Sequence, residues 1–301
     1  MRILITGVSG QVGGALVVRL AQYGEIIPAS RAALDLSEPA TIRDALDRIQ
    51  PNLVINPAAY SVVDKAEEER DLAFKINGEA VGALGQWARD QEIPLIHFST
   101  DYVFDGAGDA PFAEDVPVSP LSAYGASKAE GERLLKAAAP DFLIIRTSWV
   151  YAAQGKNFLR TIARLAGERE ELRIVSDQFG SPTSANQIAN CVARILDHRR
   201  SCLKELFESA HNILHFSANG VTTWHGFACA IVDGLRRRGI PLQAKSVMPI
   251  STAEYPTPAR RPQNSRLDTS RVRQLLGMEI ASWQAALDTE LDLLAEELRK
   301  S

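Results

Sequence analysis

Short apolar runs alternate with longer segments of helical character through the first half of the chain. The runs are rich in isoleucine, leucine and valine, as in strands buried on both faces of a parallel sheet. They occupy residues 3–5, 25–30, 52–56, 94–98 and 143–146. Helical segments are predicted between them, at residues 15–23, 38–49, 64–70, 71–90 and after Tyr124. This alternation predicts an α/β fold, a Rossmann-type doubly wound parallel sheet with helices on both faces.

The second half of the chain is less regular. It contains predicted strands at residues 172–175 and 212–216. Helices are predicted at residues 157–168, 185–197, up to 238 and 283–298. We therefore predict a Rossmann domain formed by residues 1–150 with about 171–217, and a smaller C-terminal α/β substrate domain formed by residues 151–170 and 218–301.

Composition and charge narrow the class of protein. The 301 residues are 46% hydrophobic and 23% charged, and the net charge is −4. This balance gives no reason to expect nucleic acid or an anionic membrane as a partner. Neither a transmembrane run nor a signal-peptide pattern is visible, so we predict a cytoplasmic protein. The cysteines (Cys191, Cys202 and Cys229) and the five histidines have no spacing typical of disulfides or metal sites, so no metal is expected.

The turn after the first strand is rich in glycine. Gly7, Gly10 and Gly13 stand at three-residue intervals between the strand and a helix. Glycines in this position allow a pyrophosphate to approach the backbone, and the helix N-terminus favours phosphate. The pattern predicts a dinucleotide cofactor; a plain glycine-rich turn is the alternative.

The end of the second strand indicates which dinucleotide binds. An enzyme that selects NAD usually has an acidic residue there, which binds the ribose 2′-hydroxyl. This chain has Ser30 and Arg31 instead, and both side chains suit a 2′-phosphate. We therefore predict NADPH as the cofactor, with NADH possible, unless Arg31 is an ordinary surface residue.

A tyrosine and a lysine four residues apart are the candidate catalytic pair. Tyr124 and Lys128 begin a segment of good helix formers and would share one helix face. An ammonium next to a phenol is expected to lower the phenol's pKa and make it useful in proton transfer. Ser99 and Thr100 follow the fourth strand, where catalytic hydroxyls lie in this architecture. An exposed tyrosine and a solvated lysine are the alternative.

A proline-rich loop near the C-terminus carries arginines. Prolines stiffen residues 255–262, and Arg260, Arg261 and Arg266 lie in or just after this segment. Guanidinium groups pair with phosphates in bidentate fashion, so the loop predicts a diphosphate clamp. Arginines tied to acidic neighbours are the alternative.

Several motifs together resemble the extended short-chain dehydrogenase/reductase family. They are TGVSGQVG (6–13), LDL (34–36), NPAAY (56–60), VDKAE (63–67), HFSTDYVFDG (97–106), the segment from Tyr124 to Glu132, RTSWVY (146–151), DQFGSPT (177–183) and YPTPARRPQNSRLD (255–268). They run through nearly the whole chain in order. The last two are far more specific than the glycine loop.

The resemblance implies NADPH-dependent reduction of the C4 ketone of dTDP-4-dehydro-L-rhamnose to dTDP-L-rhamnose. Tyr124 would donate a proton, Lys128 would hold the nicotinamide ribose, and Thr100 would bind the sugar. The cofactor contacts predicted from the loops and the resemblance are Gly7, Gly10, Gln11, Val12, Gly13, Ser30, Arg31, Asp35, Leu36, Ala58, Ala59, Tyr60, Ser99, Tyr124 and Lys128. The predicted substrate contacts are Thr100, Asp101, Val103, Trp149, Arg260, Arg261 and Asn264.

The chain departs from the family pattern at two positions. Some members are dimers bridged by magnesium through glutamates, and the matching positions here are Ala15 and Asn186. Neither side chain is an anionic oxygen ligand. We therefore expect no metal-bridged dimer, but a monomer or a weak homodimer.

Two other functions remain open from the sequence. A reductase of a related dTDP-4-keto-6-deoxy sugar, giving the talo product, would share every motif. A regulatory subunit of methionine adenosyltransferase resembles these reductases and acts by binding a partner. Intact Thr100, Tyr124 and Lys128 argue against the purely binding role.

Overall fold

A computed structural model of the chain describes residues 1–138, 140–197 and 203–300. Cys202 lies outside these ranges. The strands are β1 (Arg2–Ile5), β2 (Glu25–Pro28), β3 (Leu53–Asn56), β4 (Leu95–Thr100), β5 (Phe142–Thr147), β6 (Val150–Tyr151), β7 (Glu171–Val175), β8 (Phe179–Gly180), β9 (Thr183–Ser184), β10 (Ile213–His215), β11 (Thr222–Thr223) and β12 (Ser246–Ile250).

The α-helices follow the strands closely in sequence. They are α1 (Gln11–Leu20), α2 (Ile42–Ile49), α3 (Arg70–Phe74), α4 (Ala80–Asp90), α5 (Ala123–Ala138), α6 (Phe158–Glu168), α7 (Ala185–Asp197), α8 (Leu203–Ser209), α9 (Trp224–Arg237), α10 (Ser270–Leu276) and α11 (Trp283–Lys300). Short 3₁₀ turns are formed by Ala21–Tyr23, Pro39–Thr41, Lys65–Glu67, Asp101–Val103 and Thr252–Glu254.

The central sheet is parallel and has the strand order β10-β5-β4-β3-β1-β2. One hydrophobic cluster packs α1 and α7 on one face of the sheet, and a second packs α2, α4 and α5 on the other. The chain leaves β1 for β2 on one side and then returns to β3 on the other. The carboxyl ends of β1 and β3 therefore flank the crevice where doubly wound sheets bind ligands. The predicted fold class is confirmed.

A third hydrophobic cluster lies in the second half of the chain. It is formed by α6, α9 and α11 with β7, and includes Phe227, Ile231 and Leu291. Leu172 belongs to it because β7 pairs with β12, although the sequence prediction placed this segment in the larger domain. The division into two domains stays a prediction.

The predicted helix at residues 71–90 is interrupted by a wider π turn at Lys75–Glu79. Asn77 in this turn is fully buried and holds Tyr60: its Oδ1 accepts from Tyr60 N at 2.8 Å and its Nδ2 donates to Tyr60 O at 3.0 Å. A side chain at Gly131 would lie 2.0 Å from the backbone oxygen of Asn77. The turn thus lets α5 pack closely against the segment that orients the loop after β3.

None of the helices in the described part of the chain combines the length and hydrophobicity that crossing a membrane requires. The same residues contain no group of three or more histidine, cysteine, aspartate or glutamate side chains that could hold a metal ion.

Candidate active site

The turn between β1 and α1 is shaped by close backbone contacts. Gly7 has a φ of +57°, and a Cβ atom there would lie 2.8 Å from Ala58 Cα. A Cβ at Gly13 would lie 2.2 Å from the backbone oxygen of Gly7. α1 begins directly after Gly10, with Gln11, Val12 and Gly13 in its first turn. The cradle and the free N–H groups of this turn fit a pyrophosphate.

The end of β2 presents the two residues predicted to select NADPH. Ser30 and Arg31 are both exposed, and the backbone oxygen of Ser30 accepts from Ala33 and Leu34 in a turn. Asp35 Oδ1 accepts hydrogen bonds from Ser37 N and Oγ at 2.9 and 2.7 Å. These bonds, with the nearby charge of Arg31, hold the pKa of Asp35 below its usual value against a smaller opposing effect of burial.

The remaining predicted cofactor contacts differ in how exposed their side chains are. Ala58, Ala59 and Tyr60 are half-buried directly after β3, at the crevice. Leu36 is 7% exposed and packs in the second hydrophobic cluster. Ser99 is also buried, and its hydroxyl donates to Glu132 Oε1 at 2.7 Å. The Ser99 side chain therefore links β4 to α5 through Glu132.

Lys128 lies one turn after Tyr124 on α5, as predicted, but it is deeply buried. Its side-chain nitrogen Nζ donates to the backbone oxygen of Phe98 at 2.6 Å and lies 3.2 Å from His97 Nε2. Burial lowers the pKa of Lys128 to about 8, although the charge of Glu132 acts in the opposite direction. Lys128 Nζ is therefore held against β4 by a hydrogen bond to the backbone carbonyl of Phe98.

Tyr124 meets Thr100 and Asp101 at the carboxyl end of β4. Burial of the phenol hydroxyl and the negative charge of Asp101 raise the pKa of Tyr124 to about 12, and a hydrogen bond with Thr100 acts in the opposite direction. The sequence prediction that the pKa of Tyr124 is lowered is wrong for this arrangement. The reason is that Lys128 Nζ is engaged by Phe98 and His97, while burial of the phenol and then the charge of Asp101 act to raise its pKa.

Asp101 is a buried carboxyl group beside Thr100 and Tyr124. It is 3% exposed, Oδ1 accepts from Thr100 Oγ1 at 3.0 Å, and Oδ2 has no hydrogen-bond partner among the described residues. Burial raises the pKa of Asp101 to about 6, despite hydrogen bonds from Ser265 and Thr100. An unpaired buried oxygen next to Tyr124 is well placed to accept a hydroxyl of a ligand.

Trp149, just after β5, has a strained backbone conformation. Its φ is +48°, unusual for a bulky residue, and its ring stacks on Trp224 with centroids 3.6 Å apart. A Cβ atom at Gly180 would lie 2.4 Å from the Trp149 ring. Trp224 Nε1 in turn donates to Gln178 Oε1 at 3.2 Å. The sequence predicted Trp149, and Gln178 lies in the quoted motif DQFGSPT (177–183), but no pattern gave a signal for Trp224.

The arginines of the proline-rich loop have different surroundings. Arg261 binds Asp64 with both terminal nitrogens, at 3.0 and 2.7 Å. Arg266 donates to Asn264 Oδ1 at 2.8 Å and to the backbone oxygen of Asp109. Arg260 is exposed and, among the described residues, has neither a hydrogen bond nor an ion pair. It lines a cavity of about 480 Å³ together with Arg261 and the prolines of the loop.

Two predicted substrate contacts do not present their side chains to a ligand. Val103 is fully buried in a cluster with Phe104 and Leu267. Asn264 is 3% exposed; its amide nitrogen donates to the backbone oxygens of Gly108 and Ala110, and its oxygen accepts from Arg266. Both side chains hold the walls of the site in place.

Ala15 and Asn186, the two positions at which the sequence analysis expected no metal ligand, offer no anionic oxygen. Asn186 Nδ2 donates to Glu290 Oε1 at 2.8 Å, and Glu290 is 1% exposed. Ala15 packs against the first hydrophobic cluster.

The chain is similar over nearly its whole length to proteins of one kind. The model of the family described as the RmlD substrate binding domain matches residues 1–296. The dTDP-4-dehydrorhamnose reductase of Burkholderia thailandensis is 43% identical over 291 residues, which cover 95% of this chain and 97% of that protein.

Solved structures agree with this match. A dTDP-4-dehydrorhamnose reductase from Clostridium acetobutylicum has a TM-score of 0.88 at 37% identity, with 98% of this chain and 99% of that chain covered. A dTDP-4-dehydrorhamnose reductase from Bacillus anthracis, solved in complex with NADP, has a TM-score of 0.87 at 32% identity, with 97% and 99% covered.

Proposed function

The chain belongs to the RmlD substrate binding domain family, and on that premise we propose that it is a dTDP-4-dehydrorhamnose reductase. It would reduce the C4 ketone of dTDP-4-dehydro-L-rhamnose with NADPH and yield dTDP-L-rhamnose, the last step of dTDP-rhamnose biosynthesis. The observation that carries this proposal is the grouping of Thr100, Tyr124 and Lys128 beside the glycine cradle of a parallel sheet.

Tyr124 is suited to act as the acid of a reduction. With a pKa of about 12 the phenol is protonated at neutral pH, and it therefore has a proton to give to an oxygen that gains negative charge. Thr100 orients the phenol from the end of β4. Lys128, one helical turn away, supplies a positive charge beneath the site. When bound, the cofactor supplies the hydride.

The cofactor fit rests on residues at the ends of β1, β2 and β3. Gly7, Gly10 and Gly13 leave room for a pyrophosphate at the start of α1. Ser30 and Arg31 are exposed and free to receive a 2′-phosphate. These features support NADPH as the preferred cofactor of this chain, as does the NADP complex of the Bacillus anthracis relative.

The substrate would lie between the sheet and the proline-rich loop. Arg260 is the side chain available for the diphosphate, while Arg261 reaches the cavity from its ion pair with Asp64. Asp101 and Trp149 would border the sugar next to Thr100. Val103 and Asn264 would act by shaping the loops that carry these residues.

The proposed assembly is a monomer or a weak homodimer without a bridging metal. The reason is that Asn186 is engaged by Glu290 and Ala15 offers no ligand atom. Sedimentation at several protein concentrations, with magnesium or with EDTA, tests this directly: a dimer that EDTA dissociates would contradict it. A cytoplasmic location is proposed from the need for NADPH and a nucleotide sugar.

The decisive experiment is NADPH oxidation by the purified protein with dTDP-4-dehydro-L-rhamnose, followed by NMR of the product. The expected product has the rhamno configuration at C4. A talo product would make the protein a reductase of the epimeric series. Absence of turnover with NADPH still bound would contradict the reductase proposal and favour a binding role.

A further inference from the structure

Buried polar side chains form a continuous row beneath the proposed active site. Thr6 Oγ1 donates to Asn56 Oδ1 at 2.6 Å, and Asn56 Nδ2 lies 3.1 Å from His97 Nδ1. On the other side of the imidazole, His97 Nε2 lies 3.2 Å from Lys128 Nζ. Thr6, Asn56, His97 and Lys128 are between 0% and 3% exposed.

The row crosses the centre of the sheet. Thr6 directly follows β1, Asn56 ends β3 and His97 lies in β4, directly opposite Asn56 in the register. Burying polar groups at a position where apolar residues would pack is costly unless each group finds a partner. Here Thr6 and Asn56 each find one on the next strand, and His97 finds one in Lys128 on α5, where the row ends.

The hydrogen atoms of this row depend on the charge of Lys128. A neutral imidazole has one N–H and one lone pair, and an ammonium group has no lone pair to accept with. When Lys128 is an ammonium, His97 Nε2 must accept from it, so His97 carries its proton on Nδ1 and Asn56 must turn its oxygen towards it. When Lys128 is an amine, every hydrogen bond of the row can run in the opposite direction. Thr6 donates to Asn56, Asn56 donates to His97 Nδ1, and His97 Nε2–H donates to the amine.

We propose that His97 is a positioning residue of the reductase, which holds Lys128 Nζ beside the Phe98 carbonyl and exchanges its tautomer when Lys128 changes charge. The backbone N–H of Ala58 donates to Thr6 Oγ1 at 3.2 Å and anchors the far end of the row. Ala58 is also a proposed cofactor contact. The row therefore connects the loop that borders the cofactor with the lysine on the opposite side of the site.

Besides His97, the titratable groups around Lys128 that the structure describes lie on α5 and in the turn after β4. Among the described residues, Glu132 on α5 is the charge that favours its ammonium form. Tyr124 lies one turn earlier on the same helix, and Asp101 from the turn after β4 acts on Tyr124. Burial and the charge of Lys128 hold the pKa of His97 far below its usual value, so His97 stays neutral while Lys128 titrates.

Nitrogen-15 NMR of the histidine side chains in the wild-type protein tests the tautomer exchange without any turnover. Signals are assigned with His97→Gln, and spectra are recorded from about pH 6 to about pH 10, the range in which a buried lysine of this kind titrates. We expect Nδ1–H at the acidic end, Nε2–H at the alkaline end, and a midpoint equal to that of Lys128. One unchanged tautomer throughout the titration of Lys128 would overturn the proposal.

Kinetics test the positioning role, which rests on the proposed reductase function. His97→Phe removes the acceptor from a charged donor, and charge-assisted hydrogen bonds are about twice as strong as neutral ones. We expect kcat to fall about 10- to 100-fold, as for other small misplacements of catalytic groups. The alkaline limb of the pH profile should move to lower pH. The ammonium form of Lys128 loses a stronger hydrogen bond than the amine form does, so the pKa of Lys128 falls. His97→Gln should recover most of both changes.

His215 provides a matched control. It is another fully buried histidine in the same sheet and also faces a cation, Arg146, at 3.3 Å, but it does not contact Lys128. His215→Gln should leave the alkaline limb where it is. Wild-type kinetics in His97→Phe would contradict the positioning role. Equal losses of kcat in His97→Phe, His97→Gln and His215→Gln, with the alkaline limb unmoved, would mean that His97 has only a structural role. Wild-type protein that does not turn over contradicts the reductase proposal alone, since the NMR result is independent of it.

Discussion

Glu132 and Arg146 form a doubly hydrogen-bonded ion pair in the interior of the protein. Arg146 Nη2 lies 2.6 Å from Glu132 Oε2, Arg146 Nε lies 2.8 Å from Oε1, and each side chain is 2% exposed. Ser99 adds a third donor to Glu132, and the guanidinium lies over the ring of Phe104. The pair therefore joins α5, which carries the proposed catalytic residues, to β4 and β5.

Glu132→Gln should strongly destabilise the fold. The variant leaves the Arg146 charge buried with a neutral partner, and breaking a buried pair typically costs about 3–5 kcal/mol. The free energy of unfolding is measured by urea denaturation. Glu130→Gln is the matched control, because Glu130 pairs with Arg133 on the exposed side of the same helix and such pairs contribute about 0.2–1 kcal/mol. Equal losses in the two variants would contradict the prediction.

The same pair makes stability depend on pH. Burial alone would raise the pKa of Glu132, but the hydrogen bonds and charge of Arg146, with Ser99 and Lys136, hold it below its usual value. A carboxyl group with a lowered folded-state pKa stabilises the fold above its unfolded-state pKa, and this contribution is lost as the pH falls through the folded-state pKa. Wild-type protein should lose this contribution in acid, and Glu132→Gln should lack it at every pH.

The sequence predicted what local patterns encode. Apolar runs predicted the strands of the sheet, and the spacing of Tyr124 and Lys128 predicted their shared helix. The pairing of Glu132 with Arg146, the row from Thr6 to Lys128, and the stack of Trp149 on Trp224 join residues that no local pattern relates. The pKa of Tyr124 was predicted in the wrong direction because burial of the phenol, followed by the charge of Asp101, raises it, and both effects arise from tertiary packing.

Tyr124→Phe should lower kcat by about 10²–10⁴, the usual contribution of a general acid. The ring and its packing remain, including the edge-on contact with Tyr102 at 5.6 Å, so NADPH affinity should stay close to that of the wild type. Steady-state kinetics and fluorescence titration with NADPH measure the two effects. Tyr23→Phe, which removes a hydroxyl bonded to Asp197 far along the chain, should leave kcat unchanged. A Tyr124→Phe variant with most of the wild-type kcat would contradict the proposed role.

Arg31→Ala should weaken the preference for NADPH. If Arg31 binds the 2′-phosphate, the loss of a charge-assisted contact of about 1.5–3 kcal/mol lowers kcat/KM for NADPH about 10- to 100-fold. The value for NADH, which has no such phosphate, should stay nearly constant. Arg43→Ala, an exposed arginine on α2, is the control and should change neither value. Parallel losses with both cofactors would contradict phosphate recognition by Arg31.

Arg260→Ala should raise KM for the dTDP-sugar without changing stability. Arg260 is exposed and unpaired among the described residues, so its removal should weaken only the contacts with the substrate. We expect KM to rise about 10-fold or more. Arg261→Ala also breaks the ion pair with Asp64 and should therefore lower stability as well. Thermal unfolding and substrate titration separate these effects. Unchanged KM in Arg260→Ala would show that the diphosphate is bound elsewhere.

Asp101→Asn should stabilise the ligand-free protein at neutral and alkaline pH. The folded-state pKa of about 6 is above the ordinary value of 3.8, so ionising this buried group costs stability as the pH rises through about 6. The shift of about two units corresponds to roughly 3 kcal/mol at pH 8 and to almost nothing at pH 3. The difference in unfolding free energy between variant and wild type should therefore grow between these two pH values. The charge of Asp101 also raises the pKa of Tyr124, so absorbance titration of the phenol should show ionisation at lower pH in the variant. A constant stability difference across this range would mean that Asp101 is not held as a raised-pKa acid next to Tyr124.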